Sequence, residues 1–393
     1  MTENLSSPVG EIALLMPIRL RDVVLKNRIV ISPMCTYSAV DGLLDDFHLA
    51  HLGRFALGGA GLVFIEATAV SERGRITHGC SGLWRDEQIE PVRRVATLLH
   101  RFGCAAGIQL SHAGHKAASQ RPWHGARPLG AEDMELRSEE PWPVEGVVAI
   151  PFDSGWASPA AMDEADLRRV AGEFAAAAGR ANVAGLDVVE LHCAHGYLLH
   201  SFLSPLSNTR NDAWGGDLAG RMRFPLEVVR AVRLAWPNRK PLFVRISSVD
   251  GIDVGWSIED SIAFARELKA LGVDVVDCSS GGMKLEKHQN LLQREPGFHL
   301  PYSERIRREA GVPTVAVGLI RDPLFAETIV AGGKADLISI ARESLFDPNW
   351  PVHAALALEG TSAWGRWPEQ FGWWLMRRAR QQKDMFGPAV KPL

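Results

Sequence analysis

The stretch Val188-Val189-Glu190-Leu191-His192-Cys193-Ala194-His195-Gly196-Tyr197 decides how the rest of the chain is read. It starts as an apolar, β-branched run of strand character and empties into two imidazoles and a phenol. Donors crowded at the end of a buried strand suit a site that holds an oxygen gaining negative charge and then supplies a proton. A strand that delivers chemistry at its C-terminal end is the working unit of a closed α/β barrel.

Working outward, short β-branched runs alternate with longer amphipathic ones, the pattern of repeated βα units and a parallel sheet. The strands are expected at Arg28–Ser32, Leu62–Ala67, Ala106–Ser111, Asp187–His192, Leu242–Ser247, Val273–Ser279, Thr314–Val317 and Leu337–Ile340. Helical patterns separate them at Leu49–Leu57, Gln88–Phe102, Asp163–Val183, Leu218–Ala235, Ser257–Leu271, Tyr302–Glu309, Asp322–Val330 and Trp350–Ala357. Ser257 reads as an N-cap followed by acidic residues, and Gly185, Gly272 and Gly332 stand where helices should stop. The expected fold class is therefore α/β, a (β/α)8 TIM barrel, in a single domain with the barrel spanning about 28–358.

Three additions are expected on that frame. Ile18–Asn27 reads as an N-terminal hairpin plugging the barrel bottom. The stretch His112–Met162, rich in Pro, Trp and Gly, is too long for a plain connection and reads as a lid inserted after strand 3. The C-terminal tail, 361–393, carries Trp364, Trp367, Phe371, Trp373 and Trp374, an aromatic density that suits docking on a neighbouring subunit.

Composition narrows the function classes. The 393 residues are 46% hydrophobic and 23% charged, with 43 basic against 46 acidic side chains and a net charge of −3. That balance makes no electrostatic case for nucleic acid or a membrane surface and favours small-molecule chemistry. The five cysteines include no CxxC pair, which fits a reducing cytoplasm. Neither an apolar leader nor a stretch approaching the ~18 apolar residues of a spanning helix is seen.

The expected barrel collects unusual residues on one rim. Cys35 and Tyr37 follow strand 1, Ala67 and Thr68 strand 2, and Gln109 ends strand 3. His192, His195 and Tyr197 follow strand 4, and Arg245 closes strand 5. Gly281 and Gly282, Gly318, and Ala341 with Arg342 follow strands 6, 7 and 8. This fold uses its last two turns for phosphate, where small residues admit backbone N–H groups and an arginine adds charge. Gln109 can both donate and accept, as the pyrimidine-like edge of a heterocyclic cofactor demands. The HxxH spacing of His192 and His195 also admits a metal pair or a structural pair, but no additional Cys, Asp or Glu ligand is evident, and no metal is expected. No GxGxxG follows a strand, so a separate dinucleotide module is not supported.

These residues carry a resemblance. Ser32-Pro33-Met34-Cys35-Thr36-Tyr37-Ser38, Glu66-Ala67-Thr68-Ala69-Val70, Gln109 through Lys116 and above all His192 through Asn211 resemble the Old Yellow Enzyme family of FMN-dependent ene-reductases. Within it they are most similar to the branch of xenobiotic reductases and thermophilic-like enzymes, from about Ile18 to about Pro348. The resemblance implies that Pro33, Met34 and Cys35 line the flavin, the thiol tuning its potential. It implies that Ala67 and Gln109 contact the ring, Arg245 its pyrimidine side, and Gly318 with Arg342 the phosphate. His192 and His195 would bind a substrate carbonyl, Tyr197 would donate a proton, and Tyr37 would line the pocket. Two departures stand out: Ala341 replaces the usual glycine before Arg342, and the tail ends differently, so Trp373 and Trp374 are assigned to a neighbouring active site.

The implied activity is ping-pong hydride transfer from NADPH, or secondarily NADH, through FMN to the C=C bond of an α,β-unsaturated carbonyl compound, in a homodimer or homotetramer. Alternatives are an FMN-dependent demethylase or oxidase on the same fold, a flavin-free phosphate-binding lyase or isomerase, and a non-enzymatic flavin sensor.

Overall fold

The computed structural model describes residues 11–285 and 291–386. Eight strands close a parallel barrel: β1 (Ile29–Ile31), β2 (Leu62–Ala69), β3 (Ala105–Ser111), β4 (Val188–Cys193), β5 (Leu242–Ser247), β6 (Val275–Ser279), β7 (Thr314–Ala316) and β8 (Leu337–Ile340). Each pairs with its neighbours in chain order, and β8 returns to β1. All eight runs expected from the β-branched pattern are strands, with no end displaced by more than two residues.

Local chemistry sets the helix ends. The Ser257 hydroxyl accepts the Asp260 amide at 3.1 Å, so the N-cap read from sequence opens the helix Ile258–Ala270. Asp45 caps Asp46–Leu57 and Asp322 caps Pro323–Ala331 in the same way. Beyond the expected helices, a short one at Leu198–Leu203 follows Tyr197 directly.

The barrel is filled at its N-terminal end by Val30, Leu62, Phe64, Val188, Phe243, Val275, Val315 and Leu337. Leu20 and Leu25 join this layer from the hairpin Ile18–Leu20/Val23–Leu25, which closes the bottom as expected. Burying each large side chain here stabilises the fold by about 1.5–3 kcal/mol. With that end sealed, chemistry is left to the other.

At that end β2 carries a bulge between Ile65 and Ala67, after which Ala67 pairs with Gln109 of β3. The insertion 112–162 spans two short helical turns, the helix Ala131–Arg137 and a parallel pair, Glu145–Gly146 with Ala160–Ala161. The buried Glu145 seats it, 3.0 Å from His112 Nε2 at the end of β3 and 2.6 Å from Arg169. After the last barrel helix, Trp350–Glu359, the last described element is a helix at Glu369–Phe386. Among the described residues no helix is long and apolar enough to cross a membrane.

Candidate active site

Strand register assembles the floor of the site. Gln109 of β3 lies opposite Glu190 of β4, and His192 of β4 lies opposite Arg245 of β5, itself opposite Asp277 of β6. Residues registered directly across parallel strands share a face, so these side chains form two rows at the C-terminal end of the barrel. The Gln109 amide donates to Glu190 Oε1 at 2.7 Å, and Arg245 Nε stands 3.6 Å from Asp277 Oδ2. Burial raises both carboxyls, Glu190 further through Asp277, while Arg245 opposes the shift.

The imidazoles converge above this floor. His195 Nδ1 lies 3.4 Å from His192 Nε2, the rings nearly perpendicular, and the Tyr197 ring is centred 5.0 Å from His192. His195 takes a left-handed φ of +61°, and its amide donates to Ser247 Oγ at 3.0 Å. Gly282 permits this: a Cβ there would stand 2.1 Å from the His195 backbone. Burial and the nearby Arg245 cation hold both imidazoles well below their ordinary pKa, so they are neutral donors. Ser279 Oγ lies 2.7 Å from His195 Nε2; if the hydroxyl donates there, the ring proton sits on Nδ1, facing His192.

Tyr197 stays protonated because burial, and then Cys35, push its phenol up. The Lys116 ammonium sits 5.0 Å over its ring and donates to the His195 carbonyl at 2.8 Å.

On the opposite side, Cys35 and Tyr37 follow β1. Burial, and then Glu66, push the thiol well up, and the nearby Tyr37 phenol works against the rise. Met34 packs against the main core. At β7, Gly318 adopts φ +118°, where an added Cβ would stand 3.0 Å from the Phe298 ring. Ala341 precedes the helix Arg342–Phe346 at the end of β8.

The structure thus brings Cys35, Tyr37, Ala67, Gln109, His192, His195, Tyr197, Arg245, Gly318, Ala341 and Arg342 to the same end of the barrel. Trp373 and Trp374 lie elsewhere, exposed on the terminal helix, their rings 4.6 Å apart. Glu66, Glu190 and Asp277 were not anticipated as site residues. Their signal was legible: each is a carboxylate inside an otherwise apolar strand, which burial allows only with partners.

Residues 13–360 match the model of the NADH:flavin oxidoreductase / NADH oxidase family. The chain belongs to this family. Among curated members, NADPH dehydrogenase of Bacillus subtilis is 43% identical over 344 residues, 87% of this chain and 94% of the relative. The solved structure of morphinone reductase superposes with a TM-score of 0.71 at 22% identity, covering 89% of this chain and 91% of that one. A 2-naphthoyl-CoA reductase complex gives a TM-score of 0.76 at 23% identity over 88% of this chain, which spans about half (52%) of that longer chain. Both structures share the barrel. Family membership selects the flavin oxidoreductase reading over a flavin-free lyase or isomerase, and leaves the helix Glu369–Phe386 outside the matched region.

Proposed function

We propose that the protein is an FMN-dependent NAD(P)H oxidoreductase that reduces the activated C=C bond of α,β-unsaturated carbonyl compounds. The observation that carries this reading is the pair of neutral imidazoles, His192 and His195, converging beside a protonated phenol at the rim of the barrel.

The residues suit FMN. Buried polar atoms at the floor lack a hydrogen-bond partner, among them Arg245 Nε, Glu190 Oε2 and Asp277 Oδ1, and an edge of alternating donors and acceptors would engage such atoms. Gln109 and Arg245 would hold the pyrimidine edge, Ala67 and Pro33-Met34-Cys35 the ring, and Gly318, Ala341 and Arg342 the phosphate. The chemistry FMN supplies when bound is hydride acceptance from NAD(P)H and hydride donation to the β-carbon of the alkene.

The chain's own residues supply the rest. A carbonyl oxygen seated about 2.9 Å from both facing nitrogens of His192 and His195 accepts two hydrogen bonds. Charge accumulates on that oxygen as the β-carbon is reduced, so the donors stabilise the transition state more than the ground state. Tyr197 holds the proton for the α-carbon, and Tyr37 shapes the pocket wall.

The enzyme is read as a cytoplasmic homodimer or homotetramer in which Trp373 and Trp374 of one copy reach a neighbour's site. Anaerobic titration of the purified protein with NADPH, followed by a panel of activated alkenes, tests the function. Bleaching of a yellow absorbance and its return on adding an enone are expected; a colourless protein indifferent to added FMN would overturn the reading.

A further inference from the structure

A buried carboxylate behind the thiol loop organises the residues that face flavin and substrate. Glu66 sits at the bulge of β2 and is 4% exposed. Its Oε2 accepts the Thr36 amide at 2.7 Å and the Tyr37 amide at 3.4 Å, while Oε1 accepts the Thr36 hydroxyl at 2.5 Å. Two successive N–H groups aimed at one oxygen form a small anion-binding nest.

The nest coincides with backbone strain. Tyr37 adopts φ +51°, a left-handed conformation that a bulky residue holds only when its surroundings over-determine it. Trp123 supports its ring from the lid side at 6.1 Å. The phenol so placed lies close enough to the Cys35 thiol to interact with it. On its far side Glu66 meets His48, whose Nε2 is 3.6 Å from Oε1 and whose Nδ1 is 2.7 Å from Asp45, the cap of the helix Asp46–Leu57. The carboxylate thus stands between a helix terminus and the thiol loop.

We infer that Glu66 is a positioning residue: by binding the Thr36 and Tyr37 amides it holds Tyr37 in its left-handed turn, and so sets the pocket wall and the thiol contact together. This rests on the flavin reading above, in which Tyr37 lines the substrate pocket and Cys35 the flavin. Burial pushes the carboxyl up to about 7, and the hydrogen bonds from Thr36 and Tyr37 work against that rise.

Glu66→Leu has a similar volume but removes both acceptor oxygens, leaving the Thr36 and Tyr37 amides without their partner. In FMN-replete protein the expected result is about a tenfold rise in the dissociation constant of 4-hydroxybenzaldehyde, read from its perturbation of the flavin absorbance. The KM for a cyclic enone should rise in parallel, while the rate of flavin reduction by NADPH changes less than threefold. Thr36→Val, which removes only the hydroxyl contact, should shift the same constants by a smaller factor, and Thr36→Ser should restore them. If Glu66→Leu fails to fold, the Thr36 pair decides alone. FMN-replete variants whose phenol binding and KM stay within twofold of the parent overturn the inference and leave the flavin reading standing. A parent that binds no FMN overturns both.

Discussion

His195 Nδ1 and His192 Nε2 face each other across 3.4 Å with their ring planes at 86°. Two neutral imidazoles so placed share at most one long N–H···N bond, and a substrate oxygen within reach of both nitrogens would replace it with stronger ones. Replacing either with alanine should slow enone reduction by about 10²–10³, the usual loss for one oxyanion donor. Phenol binding should weaken and flavin content should stay. Full activity in both single variants, measured by stopped-flow reoxidation, would refute the role.

Tyr197→Phe separates the half-reactions. Reoxidation of reduced enzyme by an enone should slow by about 10²–10⁴, the range for a general acid, while reduction by NADPH stays near the parent rate. Equal losses in both halves would make the phenol a packing element between His192 and Lys116.

Cys35→Ala should leave FMN bound and displace its midpoint potential, because the substitution removes a sulfur and releases the Tyr37 phenol. A dye-equilibration titration reads this directly. An unchanged potential would reduce the thiol to a small apolar filler.

The lid should loosen in acid. Burial alone would raise the Glu145 carboxyl, but the His112 and Arg169 partners outweigh it and hold it at about 2, below its ordinary 4.5. A depressed folded pKa adds stability that is complete above about 4.5 and is lost as pH falls toward 2. Glu145→Gln should cost about 1.5–3 kcal/mol near neutrality, the worth of hydrogen bonds to a charged group. Its melting temperature should also depend less on pH between 5 and 2, with scanning calorimetry as the check.

The barrel was legible in the sequence because its signal is repeated: β-branched runs alternate with amphipathic ones, and the hydrophobic requirement at each position is strong. The rim residues were legible where an unusual type stands near the C-terminal end of a strand, as at Gln109, His192 and Arg245. Glu66, Glu190 and Asp277 went unassigned because their roles depend on partners in other segments, and what the barrel brings together is not written in any one segment. The helix Leu198–Leu203 was masked by the chemistry read into the residues before it. The described tail is helical over Glu369–Phe386, a stretch without a proline.

The extra residue in β2 makes the length of that strand less negotiable than its composition. Excising one position there would rotate every side chain downstream by half a repeat, turning Ala67 and Thr68 to opposite sides of the wall. Anyone grafting or shuffling this segment between related enzymes should therefore count residues before comparing them.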